Sequence, residues 1–120
     1  DLNQELNNMV HLAAEFGCKQ ILRILAEIED IDFKQKNYSR NNAFHLATKN
    51  NQKEIVEFFL QKGIDPNEQG EYNRTPFLLA CSAGHEQIDQ ILLILSLIFY
   101  LISYFILNPI NSQFTYYFVN

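Results

Sequence analysis

The feature that most constrains this chain is a short pattern that recurs along it at a nearly constant interval. The pattern reads NMVHLAAEFG from Asn8, NAFHLATKNN from Asn42 and TPFLLACSAG from Thr75. The starts are 34 and 33 residues apart. Repetition at a fixed period of about 20–50 residues is the sequence signature of an array of small stacked units. The repeat therefore decides the fold class before any local structure is considered.

A second apolar pattern follows each copy in the same register. The second patterns read CKQILRILAE, QKEIVEFFLQ and HEQIDQILLI, and each places an isoleucine eight residues after an alanine of the first pattern. These isoleucines are Ile21, Ile55 and Ile88. Because apolar residues recur at helical spacing in both patterns, each unit is predicted to be a pair of short helices. Neither helix could bury its apolar face alone, whereas stacked neighbours can.

The segments between units are predicted to be hairpins. In the middle unit Gly63 follows the second helix, where a residue free to adopt positive φ ends a helix well. The sequence IDPNEQGEYNR comes next and is rich in turn formers. The first such segment carries one extra residue near Glu29 and Asp30, which predicts an irregular first hairpin.

In period and signature the chain resembles the ankyrin repeat family. The residues that carry the resemblance best are Gly63, Asp65, Asn67, Thr75, Pro76, Ala80 and Gly84. The resemblance covers about residues 5–95, with repeats at about 5–38, 39–71 and 72–95, the third incomplete. It implies an all-α solenoid of helix-turn-helix units, here followed by a hydrophobic C-terminal helix.

The chain departs from the family pattern at two kinds of position. The first two units have Asn8-Met9 and Asn42-Ala43 where the family has Thr-Pro, and the third has Leu78 where the family has His. An Asn side chain can cap a helix with its oxygen. Helix starts are therefore expected near Asn8, Asn42 and Thr75.

The residue types that usually carry chemistry do not assemble into a reactive pattern. The resemblance implies structural roles for His11 and His45, and Cys18 and Cys81 are expected to be small thiols, buried or half-buried. The sequence offers no zinc ligand quartet, no nucleophile paired with a base and no phosphate-binding glycine loop. We therefore expect no enzyme activity, no cofactor and no metal. The net charge of −5 argues against a nucleic-acid partner.

Binding of another protein is the remaining function class. Solenoids present an extended concave surface, and the resemblance implies that partners meet the hairpin tips and the inner helix face. Tyr and Arg are frequent anchors at interfaces. The candidate partner-binding residues are Lys36, Tyr38, Arg40, Lys49, Asn50, Tyr72 and Arg74. The partner itself stays unidentified.

The C-terminal part of the chain is physically different from the rest. Every charged residue lies between Asp1 and Asp89, and residues 91–107 read ILLILSLIFYLISYFIL. A helix of this length spans about 25 Å, close to the shortest that crosses a bilayer. Residues 89–108 are a candidate transmembrane helix and residues 109–120 an uncharged tail. Two other hypotheses stay open, namely a buried terminal helix that replaces a polar cap, and a non-native ending from a gene-model error.

The preferred hypothesis is a protein-interaction scaffold without catalysis, anchored to a membrane through residues 91–107. The repeats are expected in the cytoplasm, because two cysteines form no disulfide framework and the first ten residues do not resemble a signal peptide. The alternatives are the cytosolic part of a larger ankyrin-containing membrane protein, such as a channel or acyltransferase, and part of an ankyrin-fused enzyme such as a kinase.

Overall fold

The computed structural model describes residues 2–28 and 31–108. Within these ranges all regular secondary structure is helical, and there is no strand. The six α-helices are α1 (Leu2–Phe16), α2 (Lys19–Ala26), α3 (Ala43–Lys49), α4 (Lys53–Gln61), α5 (Pro76–Ala83) and α6 (Glu86–Leu107). The extra residue near Glu29 and Asp30 and the tail at 109–120 lie outside the described residues. The predicted all-α fold with an apolar C-terminal helix is confirmed.

The helices form three consecutive pairs, which we call unit 1 (α1 and α2), unit 2 (α3 and α4) and unit 3 (α5 and α6). Residues 31–41, between units 1 and 2, are the first hairpin, and residues 64–74 are the second hairpin. The second hairpin contains a single 3-10 turn at Glu71–Asn73. Each α-helix of one unit packs against its counterpart in the next, α1 against α3 against α5 and α2 against α4 against α6.

Two of the three predicted helix starts are confirmed. Before α3, the Asn42 side chain accepts a hydrogen bond from the His45 backbone N–H at 3.0 Å, and the His45 ring accepts one from the Asn42 N–H at 3.1 Å. These two reciprocal bonds satisfy donors that a helix start leaves unpaired. Before α5, the Thr75 hydroxyl accepts from the Leu78 N–H at 3.3 Å, and Pro76 occupies the first helical position.

The predicted start at Asn8 is wrong. Helix α1 begins at Leu2, so Asn8 lies inside the helix, where its side chain accepts a hydrogen bond from Gln4 Nε2 at 3.2 Å. No hairpin precedes α1 in the described residues, so no extended chain enters at Asn8. Residues 2–7 contain neither Gly nor Pro, and Leu, Gln and Glu among them favour helix. The helix therefore begins before Asn8, the residue that was expected to cap it.

The core is a continuous column of apolar side chains that runs between the stacked units. Phe44 and Phe59 are its largest fully buried members, and their rings meet edge to face with centroids 6.3 Å apart. Ala47 is fully buried, where a small side chain lets neighbouring helices come close. Ile55 and Ile88 are also buried as their register predicts, but the equivalent Ile21 is 38% exposed. The outer face of unit 1 is thus uncovered in the described residues.

Helix α6 has two parts with different surroundings. Its first turns belong to unit 3, where Ile88 and Leu92 are fully buried and the Ser96 hydroxyl donates to Asn67 Oδ1 at 3.2 Å. Every residue from 97 to 107 is exposed. Among the described residues, Glu86–Leu107 is the one helix long and apolar enough to cross a membrane, with a mean hydropathy of 2.4 over its best stretch. Little of that stretch is buried, so α6 is not an ordinary core helix.

Candidate protein-binding surface

The two hairpins are built on the same backbone frame. In the first hairpin the Asn37 N–H donates to the Asn41 carbonyl at 2.8 Å, and in the second the Gly70 N–H donates to the Arg74 carbonyl at 2.8 Å. The Asn37 side chain also accepts from two backbone N–H groups, those of Ser39 at 3.0 Å and Asn41 at 3.1 Å. Main-chain and side-chain bonds together fix the shape of the first hairpin tip. The irregularity expected from the extra residue near Glu29 and Asp30 concerns residues outside the described part of the chain.

Lys36 joins the two hairpins side by side. Its ammonium group donates to the Gln69 carbonyl at 2.9 Å and lies 3.0 Å from Glu68 Oε1. Both side chains remain about one-third to one-half exposed, so screening by water keeps the ion pair weak. Of the candidate residues, Lys36 is therefore already engaged within the molecule. Its ammonium group thus contacts the second hairpin and is not a free cation.

The hairpin tips contain residues in the left-handed backbone region. Arg40 has φ 68°, Tyr72 has φ 54° and Asn73 has φ 58°. A residue with a Cβ atom costs about 1–2 kcal/mol in this conformation. Such strain persists where surrounding structure imposes it, and it is frequent at functional sites. The three strained residues lie at the tips of the two hairpins.

Two tyrosines project from the tips into solvent. Tyr38 on the first hairpin is fully exposed, and Tyr72 on the second is 78% exposed. The Arg74 guanidinium lies 5.5 Å from the centre of the Tyr72 ring, within cation–π distance. The second hairpin thus presents an aromatic ring and a cation that are already paired with each other.

Lys49 and Asn50 lie apart from the hairpin residues. Both are exposed at the C-terminal end of α3, and the seven residues of that helix separate them from its capped start by about 10 Å. The Lys49 carbonyl accepts a hydrogen bond from His85 Nε2 at 3.0 Å, and Asn50 Nδ2 donates to the Leu46 carbonyl at 2.8 Å. The structure therefore brings five of the seven candidates together on the hairpins and leaves two at the far end of the inner helix.

A cleft of about 470 Å³ lies between α1 and the first hairpin. It is lined by Gln4, Asn8, His11, Leu12, Gln35, Lys36, Asn37 and Tyr38. Gln35 Oε1 is the buried side-chain atom without a hydrogen-bond partner in the described part of the chain. Sequence reasoning missed this cleft, because its walls come from a helix and a loop that are distant along the chain and no motif marks Gln35.

His11 and His45 each tie an inner helix to the hairpin that follows. The His11 ring bridges the carbonyls of Asn7 and Gln35, with distances of 2.8 and 2.9 Å. His45 Nε2 donates to the Glu68 carbonyl at 2.7 Å. Burial lowers the pKa of His45, and the nearby Lys36 lowers it further, whereas contact with Glu68 opposes both effects. Burial therefore favours the neutral ring, whose Nδ1 can accept the Asn42 N–H and also lies 2.7 Å from Asn42 Oδ1.

The cysteines occupy different environments. Cys18 is half-buried, whereas Cys81 is exposed, so the expectation of burial is wrong for Cys81. The Cys81 thiol donates to Asp89 Oδ1 at 2.8 Å, and this hydrogen bond raises the pKa of the thiol. A thiol held protonated is a poor nucleophile. In the described ranges, no three His, Cys, Asp or Glu side chains come together as they would to hold a metal ion.

Comparison with known proteins identifies ankyrin repeats in this chain. Residues 1–70 match a family model described as ankyrin repeats (3 copies), and residues 51–102 match one described as ankyrin repeats (many copies). The chain is 31% identical over 72 residues to alpha-latroinsectotoxin-Lt1a of Latrodectus tredecimguttatus. It is 33% identical over 69 residues to alpha-latrocrustotoxin-Lt1a of the same species. Each alignment covers 58% of this chain but only 5% of the relative.

Proposed function

The chain belongs to the ankyrin repeat family, a family of non-catalytic interaction modules, and from this premise we propose that it binds a partner protein through its two hairpins. The partner docks against the tips that carry Tyr38, Arg40, Tyr72 and Arg74. The inner-helix residues Lys49 and Asn50 form the far edge of the same surface. The module acts by holding its partner and performs no chemistry on it.

One observation carries this proposal: large aromatic side chains stand exposed on turns that are held by hydrogen bonds. Tyr38 and Tyr72 offer wide apolar rings with hydrogen-bonding tips, the kind of side chain that often dominates binding energy. The turns beneath them are fixed by hydrogen bonds and by left-handed residues. Because this backbone is ordered before binding, less conformational entropy is lost when a partner docks.

Lys36 has a supporting role in this proposal. Its bonds to the second hairpin hold the two tips at a fixed separation, so that a partner meets both tyrosines at once. We expect Lys36→Ala to weaken binding less than loss of either tyrosine. Lys36 then helps to position the two tyrosines and does not itself touch the partner.

The test is affinity capture with the full chain, followed by measurement of the captured protein's dissociation constant. Tyr38→Ala combined with Tyr72→Ala should weaken binding at least tenfold, since each anchor commonly contributes more than about 1 kcal/mol. The matched control is Glu57→Ala, an exposed position on α4 outside the hairpins. Circular dichroism establishes that all variants fold. Equal affinity for the double variant and the control would refute the proposal.

A second candidate function is membrane anchoring through α6, with the repeats on the cytoplasmic side. The specific observation is that residues 97–107 are exposed and almost wholly apolar. Burying one such side chain is worth about 1.5–3 kcal/mol, which favours transfer of this segment into lipid. If the repeats belong to a larger membrane protein, the same helix would lead into its membrane part. If they belong to an ankyrin-fused enzyme, it would lead into the catalytic part.

The packing of α6 limits how this anchor can work. Residues 97–107 form about 16 Å of helix, roughly half the thickness of the hydrocarbon core. A complete crossing by residues 91–107 would draw Leu92 out of unit 3 and break the bond between Ser96 and Asn67. We therefore propose that residues 97–107 enter the membrane while the first turns of α6 stay in unit 3.

Cell fractionation of two forms tests the anchor. The full chain should sediment with membranes and resist carbonate extraction, whereas a chain that ends at Ser96 should stay in the supernatant. Ending at Ser96 keeps Leu92 and the Asn67 contact, so unit 3 is preserved in the truncated form. If both forms stay in the supernatant, the anchoring proposal fails, and the proposal of protein binding through the hairpins is unaffected.

A further inference from the structure

The cleft between α1 and the first hairpin adjoins the binding surface proposed above, and we propose that it binds a short non-helical segment of the partner protein. In this arrangement Gln35 pairs with a primary carboxamide, the side chain of an asparagine or glutamine, in that segment. The inference rests on the proposal that the hairpins bind a protein, and it adds which part of the partner is recognised. The cleft volume of about 470 Å³ lies in the usual range of ligand pockets, about 300–1,000 Å³.

The two hairpins contain equivalent residues at the position of Gln35. His11 Nε2 lies 2.9 Å from the Gln35 carbonyl oxygen, and His45 Nε2 lies 2.7 Å from the Glu68 carbonyl oxygen. In each unit the histidine of the inner helix thus meets the same carbonyl of the hairpin that follows. Gln35 and Glu68 are therefore structurally equivalent, and so are the residues that come directly after them.

At Glu68 a donor from the neighbouring hairpin fills the site. The Lys36 ammonium group lies 3.0 Å from Glu68 Oε1 and donates to the Gln69 carbonyl at 2.9 Å. The equivalent acceptors in the first hairpin are Gln35 Oε1 and the Lys36 carbonyl. Gln35 Oε1 is buried and has no hydrogen-bond partner in the described part of the chain. The first hairpin thus repeats these acceptors, but the described chain places no donor on Gln35 Oε1.

The uncharged side chain of Gln35 favours a different donor from the one that Glu68 binds. At Gln35 a second ammonium group would gain no ion pair and would be repelled by Lys36, the charged side chain in the cleft lining. A carboxylate has no hydrogen to donate to Gln35 Oε1. A primary carboxamide is neutral and carries two N–H donors, one for each acceptor. The cleft therefore favours a carboxamide over either charged group.

The rest of the lining also matches an amide. Asn37 Oδ1 accepts from the N–H groups of Ser39 and Asn41, which leaves the Nδ2 group of Asn37 to donate to a ligand. Gln4 Nε2 donates to Asn8 Oδ1, which leaves Gln4 Oε1 to accept. The lining thus offers both donors and acceptors, which a peptide group needs.

The Gln35 side chain has to move when the ligand binds. Its Oε1 atom is shielded from solvent, so a donor reaches it only after the carboxamide turns toward the cleft. A buried acceptor without a partner destabilises the free chain, and pairing it with the ligand removes that penalty. The bond between the His11 ring and the Gln35 carbonyl holds the backbone in place. The change is therefore confined to one side chain.

The test titrates the isotope-labelled full chain, in detergent because of the apolar end of α6, with four peptides that differ at one residue. They are acetyl-Ala-X-Ala-N-methylamide with glutamine, glutamate, lysine or leucine at X, and the N-methyl group removes the terminal primary amide. Binding is followed by the NMR shifts of the cleft residues. The glutamine peptide should bind roughly tenfold more tightly than the leucine peptide, because it adds two hydrogen bonds. The two charged peptides should bind no better than the leucine peptide.

Gln35→Glu should change this preference, because it gives the first hairpin the carboxylate that contacts Lys36 in the second. In this variant the lysine peptide should bind roughly tenfold more tightly than the glutamine peptide. Gln20→Glu is the matched control, since it makes the same charge change at an exposed position of α2 outside the cleft. The control should bind the four peptides as the natural chain does, and circular dichroism establishes that both variants fold.

Equal binding of the four peptides to the natural chain, or no shifts in the cleft, would overturn the proposal. Tighter binding of the glutamate peptide would also overturn it, because the cleft would then be an anion site at Lys36. If this inference alone is wrong, Gln35→Leu leaves the affinity for the captured partner unchanged, whereas the tyrosine double variant weakens it. If the hairpin surface alone is wrong, the peptides still discriminate while the double variant keeps its affinity for the partner.

Discussion

The buried ring of His45 should make the stability of the repeats depend on pH. In the folded chain His45 is fully buried, and its neutral ring can accept the Asn42 N–H through Nδ1 while Nε2 donates to the Glu68 carbonyl. A proton added to Nδ1 would displace the bond from the Asn42 N–H and place a positive charge in the core. Burial accordingly lowers the pKa of His45 below its usual value of 6.5.

The sign of the effect follows from this direction. A group whose folded pKa is depressed stabilises the fold fully above its unfolded pKa, and this contribution is lost as the pH falls through the folded pKa. Between those two values each pH unit should lower the free energy of unfolding by up to about 1.4 kcal/mol. The unfolding free energy of the full chain should therefore fall as the pH drops below about 6.5.

Urea unfolding of the full chain between pH 5 and pH 8 measures this dependence. His45→Gln should be less stable at pH 8, because it loses the bonds to the cap and the hairpin, but it should show a shallower loss on acidification. His85→Gln is the control, since His85 bonds across a unit boundary but is partly exposed. Identical pH slopes for the natural chain and His45→Gln would refute the reasoning.

Four further outcomes are expected. Gly63→Val should lower the free energy of unfolding by about 1–2 kcal/mol, because Gly63 has φ 80° and a Cβ atom there meets no neighbour, so that backbone strain alone acts. Ala47→Leu should cost about 1–3 kcal/mol by overfilling the core. Tyr72→Ala should unfold like the natural chain in urea, since the ring is exposed, and a large loss there would contradict its assignment to a surface tip. Alkylation of Cys81 should be faster in Asp89→Asn, measured by mass spectrometry at pH 8, because the charged acceptor that raises the pKa of the thiol is removed.

The fold was predictable where one unit supplies its own local signals. Asn42 and Thr75 carry side chains that cap the helices after them, and Gly63 adopts the positive φ expected at a helix end. These features depend on neighbours within a few residues. The same kind of signal failed at Asn8, because a cap forms only when the preceding chain is extended.

The candidate site was only partly predictable, because its details depend on contacts between units. Sequence placed Tyr38 and Tyr72 on hairpin tips, and both are exposed there. It gave no indication that Lys36 would pair with Glu68, which lies 32 residues away, or that Gln35 would line a cleft with α1. Spacing along the chain specifies which helices stack, but not which side chains meet across the boundary.

The most direct test of the proposed binding surface is hydrogen exchange of the full chain with and without its captured partner. The partner should slow exchange in residues 36–40 and 71–74, at the tips of the two hairpins, and at the end of α3 near Lys49. Exchange in α2 and α4, on the opposite side of each unit, should stay unchanged. Protection confined to α2 and α4, with the hairpin tips exchanging as in the free chain, would contradict the account.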